Sequence, residues 1–390
     1  MKLFWPKDRE FEEVLHNVQS APLNRAFSEE LLAFTQALSK RFVKLRHLPE
    51  VVALGFWLRK ANVKKMQEHF EVNTKDKIVR PRGLVFHIAP SNVDTIFVYS
   101  WVLSLLAGNK NVIRISSRME VNELLNVILD EIANHEKIAR TTIFCTYGHE
   151  ENTTVMLSEV CHTRVIWGGD ETISNIRESA LAPLANELSF GDRFSLAVLN
   201  SEKVASLNEA ELDHLLENFY NDVFWFNQMA CSSPRLVIWK GKAIQNFWDA
   251  FENKVQQKQY ELLAATQVLK YATGLQLATK EQVSRVSPTT YFSRVELQAI
   301  NQSIRELHCG GGLFYEYEVA QLADVSQIIS DKDQTLAYYG FEHEQLIELV
   351  DVIQSRGIDR IVPVGKALDF NGVWDGQSFL TSFTREVVIL

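Results

Sequence analysis

The sequence predicts an α/β fold: a doubly wound nucleotide-binding domain followed by a second α/β domain. Three observations carry this. Short apolar strands alternate with helices from about residue 76 to residue 202, the pattern of a parallel sheet covered on both faces. A second strand-and-helix pattern starts near residue 203. The chain's 390 residues exceed what one ordinary hydrophobic core organises.

The elements follow in order. Residues 1–75 read as helices; Ser28 is a plausible N-cap, with Leu31, Phe34, Leu38 and Phe42 at helical spacing. Gly83–Ile88 is a short apolar run ended by Ala89 and Pro90, and Asp94–Leu106 reads as a helix. Strands follow at Asn111–Ile115, Thr142–Cys145 and Arg164–Trp167, with helices at Val121–His135, near Thr153–Glu159 and from about Glu171. Ser195–Leu199 is expected to close the series. In such a sheet ligands gather at the carboxyl ends of the strands, where the turns Ala89–Asn92 and Trp167–Asp170 fall. Beyond residue 203, a long helix, roughly Glu209–Phe226, leads through Cys231 into a strand at Leu236–Trp239. The expected divisions are a helical segment (1–75), a nucleotide-binding domain (76–202), a catalytic domain (203–350) and a C-terminal segment (351–390) ending in a strand-like run, Glu386–Leu390.

Composition narrows the function classes. Hydrophobic residues make up 46% and charged residues 23%, ordinary globular usage. A net charge of −9 argues against a sequence-independent nucleic-acid binder. The longest apolar run, Ile96–Gly108, is interrupted by Tyr99, Ser100 and Ser104 and is too short for a membrane span. The start is charged almost at once, without an apolar signal core. Cys145, Cys161, Cys231 and Cys309 lack zinc or redox spacing. No metal site is expected, and a reducing cytoplasm is.

No GxGxxG or P-loop is present. Cys231 sits in a loop of small and polar residues between helix and strand. A free thiol is only a few per cent thiolate at pH 7, so a nucleophilic cysteine needs nearby dipoles or charge. Taken alone, a lone cysteine is more often a buried structural residue; Cys309, before three glycines, is the rival. Asn92, at a strand end, carries an amide suited to an oxyanion, or simply starts a helix. Glu187 offers a carboxylate that can take a proton or activate water, or is a surface carboxylate. Phe224, Trp225, Phe226 and Met229 either line an apolar pocket or pack into the core.

Taken in order, the segments GLVFHIAPSNVDTIF, LAGNKNVIRISSR, VIWGGDETI, NELSFGDRFSLAV, NQMACSSPRLVIW and the tail from GIDRIVPVGKAL resemble the aldehyde dehydrogenase superfamily. They more closely resemble its LuxC-type acyl-CoA or acyl-protein thioester reductases. The resemblance runs from about residue 80 to the C-terminus and implies an aldehyde-dehydrogenase-like fold. It places Cys231 at the nucleophile position and Asn92 at the oxyanion-hole asparagine, with Pro90 and Ser91 beside the cofactor. Glu187 matches the glutamate of a Glu-Leu-Gly-Gly-Lys segment, although Ser189, Phe190 and Gly191 replace its glycines and lysine. Gly168 and Gly169 match the turn that admits the cofactor pyrophosphate. Arg114, Ser116, Ser117 and Arg118 fall at the adenosine ribose. Hydroxyls and guanidinium groups there suit a 2′-phosphate, so NADPH (NADP) is expected over NADH.

The implied reaction reduces a fatty acyl thioester to an aldehyde through an acyl-cysteine on Cys231. The expected partner is acyl-CoA or an acyl-carrying protein, and a homo-oligomer joined through the C-terminal strand is expected. The alternatives are oxidation of an aldehyde to an acid, reduction of an acyl phosphate, and a catalytically silent protein that binds acyl carriers.

Overall fold

The computed structural model describes residues 1–89, 95–116, 123–148, 152–261, 263–280 and 282–389. The chain forms two units: Met1–Asp192 with Phe370–Leu390, and Arg193–Asp369.

The first unit runs β1 (Lys2–Trp5), α1 (Phe11–Ser20), α2 (Glu29–Phe42), α3 (Pro49–Trp57), α4 (Lys60–Asn73), β2 (Ile78–Pro81), β3 (Leu84–Ile88), α5 (Ile96–Leu106), β4 (Lys110–Arg114), α6 (Glu123–Ala133), α7 (Glu136–Ala139), β5 (Thr142–Thr146), α8 (Thr153–Val160), β6 (Thr163–Trp167), α9 (Asp170–Arg177) and β7 (Asn186–Phe190). Its six-stranded sheet has the order β1-β5-β4-β3-β6-β7. Strands β3 to β7 are parallel, and β1 adds antiparallel at the edge. The N-terminal segment, expected to be all helix, therefore also supplies a strand. Strand order reverses at β3, which lies between β4 and β6, so the ligand-binding ends are the carboxyl ends of β3 and β6. All five residues of β3 are buried, as a central parallel strand requires. Every residue of α5 is buried too; the apolar run too short for a bilayer is a core helix. Among the described residues no helix is long and apolar enough to cross a membrane.

His87 in β3 is a buried polar residue that the apolar pattern concealed. Asn111 Nδ2 donates to the Asn109 carbonyl, so its Oδ1 accepts from His87 Nε2 at 3.1 Å. His87 Nδ1 then accepts the Ser100 hydroxyl at 2.6 Å. Burial pushes this imidazole down to about 4, against the pull of the Asn111 bond.

The second unit runs β8 (Phe194–Asn200), α10 (Ser201–Ala205), α11 (Glu209–Phe224), β9 (Leu236–Lys240), α12 (Gln245–Gln257), α13 (Ala264–Lys280), β10 (Val283–Pro288), β11 (Ser293–Leu297), α14 (Ser303–Glu306), β12 (Leu313–Val319), a 3-10 turn (Leu322–Gln327), β13 (Asp333–Tyr339), α15 (His343–Val352) and β14 (Arg360–Pro363). Its seven-stranded sheet has the order β10-β11-β12-β9-β8-β13-β14, parallel except at β10. Ser195–Leu199, expected to close the first series, lies in β8, between β9 and β13 of this second sheet. An apolar strand pattern reports burial but not which sheet supplies the partners.

The tail returns to the first unit as β15 (Val373–Trp374), β16 (Gln377–Ser378), α16 (Phe379–Ser382) and β17 (Thr384–Val387). β17 pairs antiparallel with β2. It covers part of the strand-like run expected at the C-terminus.

Candidate functional site

In the first unit, Arg114 ends β4 and Ser116 follows in a buried position. Arg114 Nη2 donates to the Tyr147 carbonyl at 3.4 Å, with its guanidinium 5.3 Å from the Tyr147 ring centroid. Trp167 ends β6; its ring stacks on Phe190 at 4.0 Å between centroids, and Phe190 stacks on Phe379. Among the described residues, the buried Trp167 indole N–H meets no hydrogen-bond partner. Gly168 and Gly169 follow, but neither adopts left-handed backbone. A side chain on Gly168 would meet the Thr172 methyl at 2.9 Å, and one on Gly169 would meet the Asp192 carboxylate at 3.1 Å. The Asp170 N–H at the start of α9 donates to Asp192 Oδ2, and the Asp192 N–H returns a bond to Asp170 Oδ1. A side chain at either position would require its neighbour to shift. An arginine, a buried hydroxyl and an unpaired indole N–H at strand ends suit a nicotinamide dinucleotide. Pro90, Ser91, Asn92, Ser117 and Arg118 lie outside the described residues.

Glu187 is the second residue of β7, towards its amino end, directly opposite Arg164 of β6. Arg164 Nε and Nη2 donate to Glu187 Oε2 at 2.9 and 2.6 Å, and Arg177 Nε donates to Oε1 at 2.7 Å. Both carboxylate oxygens are therefore already engaged. The buried Arg164 spends its remaining donors on Ser158 and the carbonyls of Ile176 and Ser179. This is a satisfied ion-pair network linking β6, β7 and α9.

Cys231 is built differently. It lies in the loop that follows α11 and enters the amino end of β9. The turn Cys309–Gly312 enters β12, the neighbouring parallel strand, at the same end. Adjacent strands thus bring two loops together that are about eighty residues apart in sequence. Gly310, Gly311 and Gly312 all have φ near +70°, between +63° and +82°, a run that only glycine sustains without strain. Their turn reaches the loop: Gly311 N–H donates to the Asn227 carbonyl at 2.8 Å. The Cys231 carbonyl accepts the Ser195 hydroxyl of β8 at 2.6 Å.

The four cysteines separate by environment. Cys231 is exposed, Cys145 and Cys161 are buried, and Cys309 is half-buried. Burial pushes the Cys161 thiol up to about 11, with Arg164 pulling the other way. Burial also raises Cys309, against a hydrogen bond from Thr273 and the charges of Lys270 and Arg235. A raised thiol is a poorer nucleophile at neutral pH. His308, beside Cys309, is half-buried, and desolvation holds it well below its usual range; it donates to the Leu313 carbonyl and accepts the Gly310 N–H. Of the aromatic run before Cys231, Phe224 is core, packed on Phe251 and Tyr260. Trp225 and Met229 are exposed.

Comparison with known proteins agrees with this architecture. The family model for acyl-CoA reductase (LuxC) matches residues 61–386. No curated protein matches the chain. Among solved structures the chain is similar to aldehyde dehydrogenase 21 from Physcomitrella patens in complex with the product succinate, with 11% identity, TM-score 0.69, and coverage of 97% of this chain and 90% of that one. It is similar to Staphylococcus aureus AldH in a substrate-bound state, with 13% identity, TM-score 0.67, and coverage of 97% and 93%. It is also similar to the glyceraldehyde-3-phosphate dehydrogenase GapN from Methanocaldococcus jannaschii, complexed with NADP, with 11% identity, TM-score 0.66, and coverage of 96% and 93%. At these identities the likeness establishes the fold. The family match spans most of the chain, and the chain belongs to the LuxC acyl-CoA reductase family, oxidoreductases of acyl and aldehyde groups built on an aldehyde dehydrogenase fold.

Proposed function

We propose that the protein reduces a fatty acyl thioester, carried by CoA or by a partner protein, to an aldehyde at the expense of NADPH. The observation that carries this reading is the exposed Cys231 on an anchored loop, in a chain of the LuxC family.

Cys231 Sγ attacks the thioester carbonyl carbon; the carrier thiolate leaves and takes a proton, and an acyl-cysteine remains. This exchanges one thioester for another of similar energy, so the reductive step sets the direction. When bound, NADPH would supply the hydride needed to reduce the acyl-cysteine to an aldehyde. The Cys231 N–H and the Asn92 amide receive the oxyanion, and its collapse expels the Cys231 thiolate. Arg114 and Ser116, with Ser117 and Arg118, would hold the cofactor's ribose phosphate, and Pro90, Ser91, Gly168 and Gly169 would border the cofactor. Trp225 and Met229, exposed beside the loop, contact the acyl chain. Glu187 is engaged on both oxygens by arginines and serves the fold rather than the proton transfers. The site must exclude water while the acyl-cysteine stands, or hydrolysis would compete. We further propose a homo-oligomer joined through β17.

Incubation with acyl-CoA and either NADPH or NADH tests the reading. Aldehyde with stoichiometric CoA release, faster with NADPH, is expected. A carboxylic acid made from aldehyde without CoA would replace it with the oxidative alternative.

A further inference from the structure

Gln228 is fully buried, yet it lies only three residues before the exposed Cys231. Its backbone is left-handed at φ +59°, and so is that of Asn227 at +51°. Two consecutive non-glycine residues rarely adopt this conformation. The Gln228 N–H closes the end of α11 on the Val223 carbonyl at 2.7 Å. The side chain then turns inward and uses both of its functions. Its Nε2 donates to the Pro234 carbonyl at 2.9 Å, and its Oε1 accepts the Gly312 N–H at 3.0 Å.

The first bond closes a loop from residue 228 to residue 234 with Cys231 at its centre. The second ties that loop to the turn entering β12. A third anchor acts on Cys231 itself: Ser195 Oγ donates to its carbonyl and accepts the Thr335 N–H at 3.2 Å. An amide serves both partners at once, donating to the Pro234 carbonyl at the end of its own loop and accepting the Gly312 N–H of the neighbouring turn. A carboxylate cannot donate, and an apolar side chain offers neither function.

We propose that Gln228 is a positioning residue for Cys231. Its amide fixes the loop so that the thiol meets an acyl carbonyl in attacking orientation, and this rests on the reading of Cys231 as the acyl acceptor. Attack on a thioester demands alignment of the reacting atoms, and small displacements are expensive in rate. Alkylation by iodoacetamide, a small mobile electrophile, requires mainly an accessible thiolate. The two rates therefore separate positioning from general damage.

The test compares wild type with Gln228→Met, which keeps the volume, and with Ser195→Ala, which removes the separate anchor. Acyl transfer from acyl-CoA to Cys231 is followed by mass spectrometry without NADPH, beside iodoacetamide alkylation of the same thiol. In Gln228→Met, acylation is expected to fall about 10- to 100-fold while alkylation stays within about threefold. Ser195→Ala is expected to show the same split, and Gln228→Glu, which keeps the acceptor for Gly312 and loses the donor to Pro234, carries the test if Gln228→Met does not fold. Unchanged acylation, or a parallel fall in both rates, overturns the proposal. If wild-type Cys231 alkylates but accepts no acyl group from any acyl-CoA, the thioester reading fails. The positioning claim is then decided by amide hydrogen exchange over residues 228–234: at least tenfold faster exchange in Gln228→Met upholds it, and equal exchange overturns it.

Discussion

The Cys231 loop and the start of β7 both drew attention through motif positions, and they present their functional atoms in opposite ways. Cys231 has an exposed thiol on a loop whose backbone is held by Ser195, Gln228 and the glycine turn. Glu187 has a well-placed carboxylate whose two oxygens are taken by Arg164 and Arg177. In the loop hydrogen bonds hold the backbone around an exposed residue; in the strand they hold the carboxylate oxygens themselves. Two residues at motif positions thus differ in whether the backbone or the functional atoms carry the fold.

Substitutions at these two places give the largest expected effects. Cys231→Ala is expected to lower turnover by at least about 10³-fold with little change in melting temperature, because it deletes an exposed nucleophile and leaves its anchors intact. Steady-state rates with acyl-CoA and a thermal melt check both parts. Glu187→Gln should reverse the pattern. It strips the carboxylate from the buried Arg164, and breaking a buried pair from one side costs about 3–5 kcal/mol. Turnover of the protein that remains folded should stay within about threefold. A hundredfold loss of turnover at unchanged stability would return Glu187 to the chemistry.

The two units also hold buried titratable groups of opposite sign. His87 in the first unit is pushed down to about 4. Below its unfolded value of about 6.5 the unfolded chain takes up a proton that the folded chain excludes. Stability is therefore lost as pH falls from about 6.5 towards 4, by up to about 3 kcal/mol. Asp222 of α11 accepts the N–H groups of Gly365 at 2.6 Å and Ala367 at 2.9 Å. Burial nevertheless pushes it up to about 7. Its folded form keeps a proton that the unfolded chain releases, so its contribution is lost as pH rises from about 4 to 7. Melting profiles of His87→Gln and Asp222→Asn against pH should flatten the acid and the neutral limb respectively. Identical profiles for wild type and both variants would contradict these assignments.

The smallest effect is expected at the cofactor. Arg114→Ala should raise the KM for NADPH about tenfold and leave kcat within about twofold, since one charged hydrogen bond contributes about 1.5 kcal/mol or more. A KM raised equally for NADH would remove the 2′-phosphate from the explanation.

Much of the first sheet was legible because its signals are local. The apolar runs at Leu84–Ile88 and Arg164–Trp167 announce buried parallel strands wherever they occur, and both are strands here. What was not legible depends on distant partners. β8 reads like the strands before it, but pairs with β9 and β13. β1 lies in a segment that reads as helix in the sequence, and only β5 gives it an edge to pair with. The order of motifs points to Cys231 among four cysteines as the candidate nucleophile, and the structure finds it exposed. Nothing near Gln228 in sequence foretold its role, because its partner Gly312 lies 84 residues away. Likewise, no local pattern shows that Arg164 and Arg177 converge on Glu187.

The most direct test of the account is intact-mass analysis after incubation with acyl-CoAs of graded chain length in the absence of NADPH. The account predicts a single acyl adduct that maps to Cys231, is absent from Cys231→Ala and is retained in Glu187→Gln. An adduct on Cys309, or none at any chain length while Cys231 still alkylates, would contradict it.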